Sequence, residues 1–113
     1  MTHEDYAHSL YAQAPQATPL EWQIVLYFYA AVHAVNHAMY GGINVDWSHD
    51  HTRRELEISG HKTLRPLLFK YRTLRRESEI ARYKPWLHPM SAVRLSSAAT
   101  ITKEILVACG FTV

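Results

Sequence analysis

Residues 18–42 decide the fold, and they read TPLEWQIVLYFYAAVHAVNHAMYGG. Thr18 can cap a helix and Pro19 suits its first position, whereas Gly41 and Gly42 form a C-terminal stop. The apolar side chains between these signals cover most of the helix circumference. A helix that is apolar nearly all round is buried, so this segment predicts a long central helix.

Four further helices are predicted, over residues 3–14, 49–59, 63–84 and 91–109. Pro15 ends the helix over 3–14, and Gly110 ends the helix over 91–109. Ser48 or Asp46 can cap the helix over 49–59. Pro66 lies in the first turn of the helix over 63–84, where its missing N–H costs little. The sequence therefore predicts an all-α, antiparallel bundle of about five helices, formed by a single domain over residues 1–113.

Apolar spacings of three and four predict which faces of the last two helices are buried. In the helix over 63–84 this face comprises Leu64, Leu67, Leu68, Tyr71, Leu74, Ser78 and Ala81. In the last helix it comprises Val93, Ser97, Ile101, Ile105 and Ala108.

The composition excludes several classes of protein. Of the 113 residues 48% are apolar and 19% charged, which argues against a disordered chain or a coiled-coil rod. Cys109 is the one cysteine, so no intrachain disulfide can form, and its place on an apolar helix favours a structural thiol over a nucleophile. The longest apolar stretch, residues 24–35, is too short to cross a bilayer, and the N-terminus lacks the basic start of a secretory signal. We therefore expect a cytoplasmic protein with no membrane partner.

The net charge of +2 conceals an uneven distribution. Residues 1–52 contain five acidic residues and no Lys or Arg, whereas residues 53–84 contain ten Lys or Arg against four Glu. Such a basic block can face an anionic partner, or it can complement the acidic half inside the bundle. The sequence leaves both interpretations open.

A polar stripe interrupts the central helix. Tyr29, His33 and His37 are four residues apart, with Asn36 beside the last, so they lie near one face. His33 and His37 also have the spacing of paired metal ligands, and His49 or His51 could complete a site. However, Ala34 stands where the helical His motif of zinc proteases has its Glu. A His-ligated metal bundle is therefore only a third alternative, and we expect neither a metal nor a cofactor.

Arg82 and His88 form the most suggestive catalytic pair, because five residues separate them within a basic region rich in tyrosine. An arginine can hold a phosphate in a bidentate way. A histidine that titrates near neutrality can move protons from a ribose 2′-hydroxyl and to the leaving oxygen. This pattern favours chemistry on RNA. The alternative is a solvated helix face whose ion pairs contribute little.

Four segments together resemble the HEPN-domain superfamily, in its small stand-alone bacterial and archaeal branch. They are FYAAVH at 28–33, SHDHTRR at 48–54, YRTL at 71–74 and SEIARY at 78–83. The resemblance covers roughly residues 19–105. It implies an antiparallel helical bundle that pairs as a homodimer.

The resemblance also implies that the protein acts on RNA or binds it. Many HEPN proteins are metal-independent endoribonucleases of toxin–antitoxin or phage-defence systems, with an Arg and a His four to six residues apart. Arg82 and His88 match that count and would be the phosphate-binding and acid–base residues. In this chain Tyr83 follows the arginine, and Pro85 lies between the pair.

Two alternatives come with the same resemblance. In a non-catalytic HEPN module, one pocket between helices would bind a nucleotide, RNA or a protein partner such as an antitoxin or a nucleotidyltransferase. The residues expected to line it are Tyr29, His33, His37, His51, Arg54 and Tyr83. In a purely architectural interpretation, His33 and His51 bond to each other and hold the loop against the core.

Overall fold

The structure, a computed structural model, describes residues 2–41, 50–86 and 89–113. Its helices are α1 (His3–Gln13), α2 (Glu21–Tyr40), α3 (His51–Ser59), α4 (Leu68–Tyr83) and α5 (Ala92–Ala108). Short 3-10 turns at Ala14–Gln16 and Arg65–Leu67 follow α1 and precede α4. No strand occurs within these ranges. The all-α helical bundle is therefore confirmed.

Helix α2 is the centre of the bundle, as its sequence predicts. It packs against α1, α4 and α5, and ten of its side chains are buried. Ile24, Phe28, Ala31 and Val35 point into a core completed by residues such as Tyr71 and Ile105. Because every other long helix packs on α2, its orientation decides which polar side chains meet outside the core.

Most helix boundaries agree closely with the predictions, but α4 begins at Leu68 and not near residue 63, because Pro66 lies in the preceding 3-10 turn. Two caps also differ. The helix expected to begin at Thr18 begins at Glu21 and has no side-chain cap. A turn in which Pro19 O accepts from Trp22 N (3.0 Å) precedes it instead. Helix α3 is capped by Asp50, whose Oδ1 accepts from Arg53 N at 3.0 Å. The alternatives Ser48 and Asp46 lie outside the described residues.

The C-terminal stops behave as expected. Gly41 ends α2 with a φ of +62°, and Gly110 follows α5 with a φ of +95°. This backbone region favours glycine because a Cβ would be strained there.

The predicted buried face is confirmed in α4 but only in part in α5, where Ile105 is buried as predicted and Val93 and Ser97 are exposed. Tyr71, Leu74, Ser78 and Ala81 are buried in α4 as their spacing predicts. In α5, Val93 is 78% exposed, and the buried residues are Ala98, Thr102, Ile105 and Leu106. The small Ala98 and the polar Thr102 face the core. Thr102 can be buried there because its hydroxyl donates to the Ala98 carbonyl at 2.7 Å. A pattern based on large apolar residues therefore misplaced the face by one position.

None of the helices in the described ranges has the length and apolar character that a bilayer crossing requires.

Candidate functional site

Four residues from three helices are linked by contacts around Arg82 and Tyr29, and we call them the Arg82 cluster: Tyr29, His51, Arg82 and Tyr83. Arg82 Nη1 donates to Tyr29 Oη at 2.7 Å. The Arg82 guanidinium carbon lies 5.0 Å from the Tyr83 ring centroid and 5.8 Å from that of Tyr29. Arg82 is exposed and forms no ion pair with any described residue. Its charge is therefore available to an anion from solvent.

His51 lies beside Tyr29, at the start of α3. Its ring centroid is 6.4 Å from that of Tyr29 and 5.2 Å from that of Phe28. Its Nδ1 is 2.9 Å from Arg54 Nη1. A guanidinium has donors only, so Nδ1 must accept and the proton of the neutral ring must lie on Nε2. Arg54 thereby fixes His51 in one tautomer.

The pKa of His51 is lowered by burial first, and then by the nearby positive charges of Arg54 and Arg75. Glu79 and Glu55 oppose this shift without overcoming it. Burial and the two arginine charges thus favour the neutral imidazole, as the hydrogen bond from Arg54 requires.

Acidification should therefore destabilise the protein through His51. Because the folded-state pKa is below 6.5, the ordinary value for histidine, the unfolded chain takes up the proton first. The His51 contribution is present in full above pH 6.5 and is lost as the pH falls toward the folded-state pKa. The slope cannot exceed about 1.4 kcal/mol per pH unit for one proton. Urea unfolding between pH 7.5 and 5.5 should show a larger loss in the wild type than in His51→Asn, whose Oδ1 can accept from Arg54. Equal losses in the two proteins would contradict the assignment.

Arg54 itself has no exposed surface. Its Nε donates to Asn36 Oδ1 at 3.0 Å, which joins α3 to the central helix. The buried Tyr71 ring lies nearby, where burial raises the pKa of its hydroxyl to about 12 against the opposing effect of Arg54. Arg54 was predicted to line the pocket, and the structure places it behind His51. It can act on a ligand only through that histidine.

Part of the basic block is paired with glutamates of the same block. Glu55 accepts from Arg72 Nε at 3.0 Å and also pairs with Arg75, which in turn bonds Glu79 at 2.9 Å. These glutamates belong to the same block, residues 53–84, and not to the acidic N-terminal half. Neither interpretation of the charge asymmetry anticipated this arrangement. Its consequence is that Arg82 is one of few cations in α4 without a carboxylate partner in the described residues.

The structure does not bring the two histidines of the stripe, His33 and His37, to this cluster, although both were predicted to line the pocket. His33 Nδ1 lies 2.8 Å from His3 Nδ1, and its ring stacks on Tyr6 at 4.9 Å. His37 lies against Phe111, with ring centroids 5.6 Å apart. His33 therefore contacts α1, and His37 contacts the C-terminal segment. Across residues 2–41, 50–86 and 89–113, no three His, Cys, Asp or Glu side chains form a group that could hold a metal ion.

Three further residues were considered from the sequence: His88, His49 and Cys109. His88, the proposed acid–base partner of Arg82, lies outside the described residues, as does His49, so the catalytic role of His88 stays a prediction. Burial raises the pKa of the Cys109 thiol to about 12, which keeps it protonated and unreactive near neutral pH.

Sequence reasoning missed the contacts of His3 and Asn36 and the central place of Glu55. His3 and Asn36 meet residues 30 and 18 positions away, so no local spacing could reveal them. For Glu55, the one signal in the sequence was the excess of arginines around it, which made an ion pair with some of them expected.

Comparison with family models, curated proteins and solved structures finds no match for this chain.

Proposed function

We propose that this protein is a HEPN-like helical bundle that binds RNA through the Arg82 cluster. One observation carries the proposal. Arg82 is exposed and bonded to the hydroxyl of Tyr29, whose ring lies beside His51, and it has no carboxylate partner in the part of the chain that the structure describes.

The cluster has the donors that a phosphate group needs. The guanidinium offers a planar set of N–H groups that match phosphate oxygens. His51 contributes an Nε2–H donor because its Nδ1 is occupied by Arg54. Tyr29, His51 and Arg82 come from α2, α3 and α4, so the packing of the bundle fixes their arrangement before a ligand arrives.

RNA is the ligand that best suits both the chemistry and the resemblance. Aromatic faces beside an arginine suit a chain that carries both phosphates and bases. The exposed cations Arg76 and Lys84 lie on and just beyond α4 and have no ion-pair partner among the described residues. Pairing as a homodimer, and an antitoxin or nucleotidyltransferase partner, remain proposals that rest on the resemblance alone.

Titration of a fluorescently labelled single-stranded RNA with the purified protein in EDTA tests binding. Fluorescence anisotropy should rise to saturation, and the affinity should fall as salt is raised from about 50 to 200 mM, because phosphate contacts release counterions. A flat titration at the lower salt concentration would contradict the proposal.

Electrophoresis of the same mixtures distinguishes the catalytic form from the binding form. In the catalytic form the ribose 2′-oxygen attacks phosphorus and the 5′-oxygen leaves, with His88 moving the protons and Arg82 holding the phosphate. Cleavage in EDTA that disappears in both Arg82→Ala and His88→Ala would establish this form. Intact RNA that remains bound would identify a non-catalytic module.

A further inference from the structure

A groove of about 460 Å³ lies directly beside the Arg82 cluster, between the first turn of α2 and the last turn of α4. It is lined by Pro19, Glu21, Trp22, Val25, Ala81, Arg82, Tyr83 and Pro85. Trp22 is 49% exposed and Tyr83 is 61% exposed, so two large aromatic side chains present their surfaces to solvent at this site. Neither Trp22 nor the groove was singled out by the sequence.

The groove and the phosphate site share a residue. Arg82 lines the groove and also bonds Tyr29 in the cluster, while its guanidinium lies 5.0 Å from the Tyr83 ring centroid. A ligand that places an anion on Arg82 therefore has an adjoining flat group within reach of Trp22 and Tyr83. In a nucleotide, the phosphate and the base are two such groups joined by a sugar.

We propose that this groove binds an unpaired base of the RNA by stacking, so that the substrate is single-stranded. This inference rests on the proposed function, because it assigns the base that accompanies the phosphate on Arg82. Stacking on aromatic side chains tolerates any base, since every base has a π-face. A base within a duplex is covered on both faces by its neighbours and cannot enter the groove.

The charge at the rim also favours a base over the backbone. Glu21 lines the same groove, and its carboxylate repels a phosphate from the interior. The same carboxylate can accept hydrogen bonds from the amino group of a base. The cation and the carboxylate thus direct the two ends of one nucleotide to different places.

The test compares Trp22→Leu with Phe69→Leu, which also replaces an exposed aromatic side chain by leucine but does so elsewhere on the bundle. Phe69 is 80% exposed and does not line the groove. Trp22→Leu should lower the affinity for single-stranded RNA about tenfold, as loss of one stacked base predicts. Phe69→Leu should leave that affinity nearly unchanged, and Trp22→Tyr should restore most of it. Affinity for a duplex of the same sequence should be equal in all four proteins.

Each outcome decides between the two proposals. If Trp22→Leu and Phe69→Leu bind single strands equally well while Arg82→Gln binds weakly, the base site is wrong and the phosphate site stands. If Trp22→Leu weakens the duplex as much as the single strand, the groove does not read an unpaired base, and the inference also fails. If the wild type binds no RNA, both proposals fail. In that case, saturable binding of an apolar peptide that Trp22→Leu abolishes would identify the groove as a protein-docking site.

Discussion

Replacing Arg54 by alanine is expected to destabilise the protein by about 3 kcal/mol, the largest effect of any single substitution considered for this chain. The guanidinium is fully buried and links α3 to the central helix through Asn36 and to the functional cluster through His51. Its removal leaves two acceptors, the buried Asn36 Oδ1 and the half-buried His51 Nδ1, without their donor. It also leaves a cavity in a packed region. Urea unfolding followed by circular dichroism measures the loss.

Two further variants separate the causes. Arg54→Met fills most of the volume and removes the buried charge, so it should recover part of the loss and isolate the cost of the missing hydrogen bonds. Arg53→Ala changes the neighbouring residue, whose side chain is 49% exposed and pairs with Glu57 at 3.3 Å. This control should cost less than about 1 kcal/mol. An Arg54→Ala protein as stable as Arg53→Ala would show that Arg54 does not join these helices.

The second large effect is expected at Arg82, where substitution by glutamine should reduce RNA affinity about tenfold or more. Glutamine keeps a polar side chain but loses the charge and the planar set of donors. The slope of log affinity against log salt should also become shallower by about one, which is the signature of one lost phosphate contact. Because Arg82 is exposed, the unfolding free energy should change little.

Arg76→Gln provides the matched control. Arg76 is exposed on the same helix and, like Arg82, forms no ion pair with a described residue, so the change in net charge is identical. Its effect on affinity should stay within about twofold, because it removes general attraction that salt screens and no contact in the cluster. Equal losses in the two variants would mean that RNA follows the overall charge of α4 and not the Arg82 cluster.

The central helix could be predicted from sequence because its cause is local. Glycine ends the helix, and apolar side chains around most of its circumference require that it be buried in the core. The buried face of α4 follows from the same kind of periodicity. The face of α5 could not be predicted from large apolar residues, because Ala98 and Thr102 pack against the core while Val93 faces solvent.

The polar stripe shows where spacing alone stops being sufficient. An α-helix has 3.6 residues per turn, so each step of four residues rotates the side chain by about 40°. Tyr29 and His37 are two such steps apart and therefore face different neighbours. Tyr29 meets Arg82 in α4, whereas His33 and His37 meet His3 in α1 and Phe111 in the C-terminal segment. The sequence identified the polar residues of α2, but only the packing of its neighbours divides them between two places.

The Arg82 cluster was only partly predictable for the same reason. Tyr29, His51 and Tyr83 were expected in one pocket and Arg82 in a catalytic pair with His88. The structure links these four residues through Arg82 and Tyr29. The hydrogen bond between Arg82 and Tyr29 joins residues 53 positions apart, and the tautomer of His51 depends on a buried contact with Arg54. Such contacts depend on how the helices pack and leave no periodic signal.

Photo-crosslinking tests the central claim, that RNA binds at the Arg82 cluster, most directly. A single-stranded RNA containing 4-thiouridine would be irradiated with the wild-type protein and with Arg82→Gln, and the adducts located by mass spectrometry. We predict adducts within residues 18–29 and 77–86 of the wild type and a strong reduction in Arg82→Gln. Adducts confined to α1 and α5, or an unchanged yield in the variant, would contradict the proposed function.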